Sequence, residues 1–315
     1  MFRTEIRLKS PGWYIRYPDK FFCIGSCFAE HWNKRLTDSG FSSFVNPAGI
    51  VYNPLSLAHQ LNQCMLLKPW TEEDIIFHQD LYHGLHHHGL FSSKQKSAVL
   101  EYMNHRLRMA HTQLLNSNIL IITLGTALVF KHKPTGWVVA NCHKIPPDQF
   151  ERRFLGVEEI VDAFDLILDQ LKSALPGLRI ILTISPVRYL KEGFSDNSLS
   201  KSILILAAHR LIENHVGLQY YPAYEILLDD LRDYRFYKED MIHPNDLAID
   251  YIWSRFTNLF FEQDTLYIMD QINKLRKAGL HRPLHPESAE HKSYISTLDQ
   301  KILELKNQYP LIVWE

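Results

Sequence analysis

Cysteine is scarce in this chain: four in 315 residues, at Cys23, Cys27, Cys64 and Cys142. So few in so long a chain do not make a disulfide framework, and their spacing does not pair them as zinc ligands. They read as reduced thiols. A charge of one sign is lacking too. The formal net charge is −1 and the pI about 7.0, which argues against an electrostatic nucleic-acid binder or a basic membrane-surface protein. No apolar run is long enough to span a bilayer, and residues 1–20, MFRTEIRLKSPGWYIRYPDK, carry charges throughout with no apolar h-region. The expected compartment is the cytoplasm. Internal repeats and low-complexity tracts are also missing, and nothing specifies an assembly.

What is present is a chain that is 46% hydrophobic and long enough for one large α/β domain with appendages. Apolar runs at Phe21–Gly25, Phe41–Val45, Ile119–Leu124, Arg179–Ile184 and Leu218–Tyr221 predict strands. The isoleucine-rich run at 119–124 suits a strand covered on both faces of a parallel sheet. Between them, Phe28, Trp32 and Leu36 fall at helical spacing, and helices are predicted over Val157–Leu175, Asn197–Asn214 and Leu247–Phe260. Asn245 is the expected N-cap of the last. Strand-then-helix alternation implies a doubly wound parallel sheet, with chemistry at the rim where strands end. Residues 55–118 depart from it, with two helical patterns around the histidine-rich LYHGLHHHGLFSS, and predict a helical or lid insertion. We therefore expect a main domain over 1–262 and a charged C-terminal helical extension over 263–315.

Two short motifs carry the chemistry. FFCIGSCFAEHW at 21–32 puts Ser26 where a strand turns into a helix, and DMIHPND at 240–246 puts Asp240 three residues before His243. A serine hydroxyl is a poor nucleophile until a histidine takes its proton, and that histidine needs an acid to fix its tautomer. Asp240 and His243 are spaced to pair within one turn, leaving the second ring nitrogen for Ser26. As alternatives, Ser26 is a plain helix cap, and Cys27 is a thiol nucleophile at a helix N-terminus. Arg188, in SPVR, is placed to clamp a carboxylate or phosphate or to pair with an acid such as Glu225. The cluster His83, His86, His87 and His88 lacks metal-ligand spacing. It reads as a polar lid loop with His88 near substrate, and no metal or organic cofactor is expected.

The GSCFA run at 25–29 resembles the motif of the GSCFA family, which is similar to the SGNH, or GDSL-like, esterase superfamily. NPAGIVYNP at 46–54, TLGTALVF at 123–130, NCHKIP at 141–146, SPVR at 185–188 and the segment 221–244 extend the resemblance over most of the chain. It implies a three-layer flavodoxin-like sheet of the SGNH type and ester hydrolysis through Ser26, His243 and Asp240. It implies a substrate that is a small-molecule or carbohydrate ester. It also implies an oxyanion hole built from the serine amide, a glycine after the second strand and an asparagine after the third. Gly49 occupies the second place. The third reads Gly125, Thr126, Ala127, without asparagine. Thr126, Asn141 or His143 are the alternatives for that donor, and a binding protein that keeps the fold without turnover is the alternative function.

Overall fold

The computed structural model describes residues 4–191, 193–280, 285 and 287–314. In chain order the first elements are β1 (Phe21–Gly25), α1 (Cys27–Asp38), β2 (Ser43–Val45) and α2 (Pro54–Leu66). Next come β3 (Ile75–His78), β4 (Leu81–Gly84), α3 (Lys96–Leu115), β5 (Ile119–Leu124) and β6 (Leu128–His132). They are followed by β7 (Phe150–Phe154), α4 (Val157–Ala174), β8 (Arg179–Ile184), α5 (Phe194–Asn214) and β9 (Leu218–Tyr221). The last are α6 (Ala223–Glu225), which runs into a π-helical turn over Ile226–Leu231, α7 (Asp246–Phe260), α8 (Gln263–Gly279) and α9 (Ala289–Gln308).

The central sheet has five strands in the order β2-β1-β5-β8-β9, all parallel. This is the expected flavodoxin-like order. It is a three-layer α/β fold because successive side chains of a strand point to opposite faces. Phe22 and Ile24 of β1, with Leu120, Ile122 and Leu124 of β5, pack under α2, α3, α4 and α5. Phe21 and Cys23, with Ile119 and Ile121, pack under α1, the 223–231 segment and α7. Trp32 is the largest fully buried side chain, set edge-on to Phe28 and Tyr221. Asn245 caps α7 through its side-chain oxygen on the Ala248 amide.

Three local expectations change. The run from Phe41 pairs as a strand only over Ser43–Val45, because Phe41 still bonds back to Leu36 as the chain leaves α1. The antiparallel hairpins β3–β4 and β6–β7 stand beside the sheet, joined by Leu85, Val139 and Phe150. The polar histidine loop is instead interior: His83, His86 and His87 are buried. His86 stacks on Trp70 and lies tilted against Trp137, His87 meets Trp70 edge-on, and burial pushes His86 down to about 4. Beyond α7, α8 and α9 share a small core of Ile268, Ile272 and Leu305. The chain then returns so that the Val313 amide bonds to Gly40 O, at the far end of α1. No helix among the described residues is long and apolar enough to cross a membrane.

Candidate active site

The β1–α1 junction is built on close backbone approach. Gly25 has φ +140°, and a Cβ there would sit 2.1 Å from Thr123 O, so only glycine fits. Its amide donates to Asn46 Oδ1 at 2.9 Å, and its carbonyl accepts from Val51. Ser26 follows as the N-cap of α1, its Oγ accepting from Phe28 N at a long 3.3 Å. It is 1% exposed. Cys27, one residue on, is partly exposed. Burial pushes the Cys27 thiol up, with Glu30 acting the same way, while its own amide, Lys201 and the Phe28 amide draw it down.

Asp240 and His243 are brought together. Asp240 Oδ2 lies 2.7 Å from His243 Nδ1, and Asp240 Oδ1 accepts from the amides of Ile242 and His243. These bonds, led by the His243 amide, hold the Asp240 carboxyl down at about 2. The loop is closed by Lys238 N on His243 O and by Asn245 N on Phe236 O. It lies beside α1. Burial draws the α1 residue His31 below its ordinary range, and the charges of Lys238, Arg35 and His243 act in the same direction.

Arg188 holds this loop rather than an acid. Its guanidinium sits 3.9 Å from the Tyr237 ring centroid, Nη1 donates to Met241 O at 3.2 Å, and its amide bonds Ile242 O. The alternative pairing with Glu225 is not what forms, because Tyr220 OH donates to Glu225 at 2.6 Å.

The remaining candidates lie in three places. Thr126 and Asn141 line one cavity of about 510 Å³, together with Tyr52, Asn53, Tyr189 and Lys191. Gly49 and His88 form a second contact: Gly49 has φ +77°, and a Cβ there would meet His88 at 2.4 Å. His88 itself accepts from Leu90 N as a local cap. His143 turns to β4, its Nε2 3.0 Å from Gly84 O and its ring tilted against His83, and burial lowers it to about 4.

Amides expected to face an oxyanion are taken by the backbone. Ser26 N donates to Thr123 O, Gly49 N to Asn46 O, and both Gly125 N and Thr126 N to Tyr52 O. The Thr126 hydroxyl bonds Ser200 Oγ and accepts from Leu128 N.

Sequence reasoning missed Asn46, Tyr52, Arg106 and Lys201. Asn46 anchors Gly25 as above. Arg106 of α3 donates to the carbonyls of Val45, Asn46 and Pro47 and so holds the loop after β2. Both asparagine and tyrosine lay inside NPAGIVYNP, which is the signal that was available. No group of three histidine, cysteine or acidic side chains placed to hold a metal is found among the described residues.

The GSCFA family matches residues 20–256, and the C-terminal domain of GSCFA domain proteins matches residues 272–315. No curated protein gives a match. Among solved structures, a carbohydrate esterase family 3 protein from Talaromyces cellulolyticus is 8% identical, with 80% of this chain and 99% of that one covered at a TM-score of 0.37. An acetyl xylan esterase from the rumen bacterium Butyrivibrio proteoclasticus is 11% identical, covering 78% of this chain and 63% of that one at a TM-score of 0.38.

Proposed function

The chain belongs to the GSCFA family, and on that premise we propose that it is an ester hydrolase or acyltransferase with Ser26 as nucleophile. The observation that carries this reading is the Asp240–His243 pair at 2.7 Å, in the loop that leads into α7, whose Phe256 packs on Trp32 of α1, the helix that starts at Ser26. His243 takes the Ser26 proton on the nitrogen that Asp240 leaves free, then delivers it to the leaving alcohol. Asp240 fixes the tautomer and balances the imidazolium. The long bond from Phe28 N to Ser26 Oγ costs little to break, so the hydroxyl can turn toward an acyl carbon. The substrate class is a small-molecule or carbohydrate ester, the acceptor water or another hydroxyl. The four unpaired cysteines support a reducing compartment, the cytoplasm.

Incubation with a fluorophosphonate probe tests the nucleophile, since it requires only an activated serine. Labelling of Ser26 in the native chain, lost in His243→Ala, is the expected result. One observation favours a second reading: Ser26 is 1% exposed while Cys27 is the more open side chain. In that reading Cys27 attacks in a thiol-dependent acyl transfer. Iodoacetamide would then abolish turnover while Ser26→Ala keeps it. Failure of both reagents to label the folded protein would leave a binding role for the fold.

A further inference from the structure

Lys201 is 1% exposed, in the middle of α5. Its Nζ donates to Gly125 O at 2.7 Å and to Ser185 O at 2.8 Å. Those carbonyls belong to the residues that follow β5 and β8, adjacent strands, and Ser26 follows β1, which pairs with β5. We propose that Lys201 is the positioning residue that supplies positive potential to the β1–α1 junction, where the surrounding main-chain donors are already engaged. The proposal rests on the reading of that junction as an acyl-transfer site.

The physical need is plain. Attack on an ester puts negative charge on the carbonyl oxygen, and stabilising it takes fixed donors or charges. Amides of Ser26, Gly49, Gly125 and Thr126 are bonded to Thr123, Asn46 and Tyr52 carbonyls, so they offer little. A buried ammonium is strongly felt because no water screens it. It also costs free energy to bury, which a cap for two carbonyls alone does not explain: a glutamine amide can donate to two carbonyls without a charge. The charged and titratable groups facing Lys201 are Cys27 at the start of α1 and Glu225 of α6, with the Tyr224 ring 5.4 Å away. Gly125, whose carbonyl accepts from the ammonium, lies just beyond Thr123, whose carbonyl accepts from Ser26 N, so the charge stands close to the nucleophile's end of α1 and draws the Cys27 thiol down. Lys201 carries its proton below about pH 7 and forms no bond to substrate.

Cys27 is a built-in probe of that field, independent of any esterase activity. In the full chain, Lys201→Met should slow alkylation of Cys27 by iodoacetamide at pH 6.5 by about ten-fold, one pKa unit of the thiol, as read by peptide mass spectrometry. Lys201→Arg, which keeps the charge, should recover most of it. With p-nitrophenyl acetate, Lys201→Met should lower kcat while leaving KM nearly unchanged. Unchanged Cys27 alkylation in folded Lys201→Met overturns the proposal, whatever the esterase arm shows. An inert native enzyme instead overturns the acyl-transfer reading alone. Should Lys201→Met not fold, ¹⁵N NMR of the Lys201 ammonium in the native sequence decides. Carboxymethylation of Cys27 with iodoacetate adds a negative charge there and should move the ammonium's titration upward; an unmoved titration overturns the proposal.

Discussion

Asp240 Oδ2 stands 2.7 Å from His243 Nδ1 while the other oxygen of the same carboxylate holds the His243 amide. One side chain therefore fixes both the ring and the backbone of its partner. Asp240→Asn keeps the size but changes which nitrogen carries the proton. Hydrolysis of p-nitrophenyl acetate should fall by about 10⁴, and His243→Ala combined with Ser26→Ala should be little worse than either alone. Additive losses would separate the three residues into independent roles.

Gly25 tests the junction's geometry. Alanine there sets a Cβ 2.1 Å from Thr123 O at φ +140°, a clash with backbone that no rotamer relieves. Gly25→Ala should destabilise the chain by about 3 kcal/mol or more, measured by urea denaturation. A neutral result would mean that β1 and β5 can separate at that point.

Arg188 reaches the acid–histidine loop through the Tyr237 ring and the Met241 carbonyl. Arg188→Ala should lower kcat/KM with little change in global stability. Paired with Tyr237→Leu in a double-mutant cycle, it should show a coupling of about 1 kcal/mol. Lysine at 188 lacks the planar fork and should not restore activity. A coupling near zero would remove the ring from the role of holding the loop.

Asp240 and Lys201 both make stability rise with pH, in different windows, and the buried cysteines act the other way. The folded-state pKa of Asp240 is depressed to about 2, so its contribution is present above the unfolded value and is lost as pH falls through about 2. Asp240→Asn should thus lower stability above about pH 4, and its gap to the native chain should close as pH falls from about 4 to about 2. Burial lowers Lys201 to about 7, so above that the unfolded chain binds its proton more tightly and stability rises with pH. Buried cysteines with raised pKa, Cys23 and Cys64 at about 12, act the other way above about pH 8.5. Between pH 7 and 8.5 the urea midpoint of the native chain should rise relative to that of Lys201→Met. Parallel curves would contradict the lowered value.

The apolar runs were enough to read the core strands, because a strand buried on both faces must be apolar at every position: FFCIG and ILIITL show no polar residue except Thr123. Asn245 and the Asp240–His243 spacing were legible because caps and tight loops are local. The side hairpins were not, since LYHG and LVFKH carry polar residues that read as loop. Lys201 was invisible for a different reason. A lone lysine in a helix reads as solvated, and what buries it is a pair of carbonyls contributed by residues 125 and 185, far away in sequence. The occupied amides around Ser26 follow from the same kind of long-range placement.

Helix α1 is pinned at both ends, by Ser26 N on Thr123 O at its start and by Val313 N on Gly40 O past its finish. A short rigid rod fixed this way transmits a push at one end to the other. Trp314 lies next to that far anchor, with Arg276 and Lys306 near its ring. Trimming residues 309–314 would release the rod's distal bearing while leaving every group of the candidate triad in the chain.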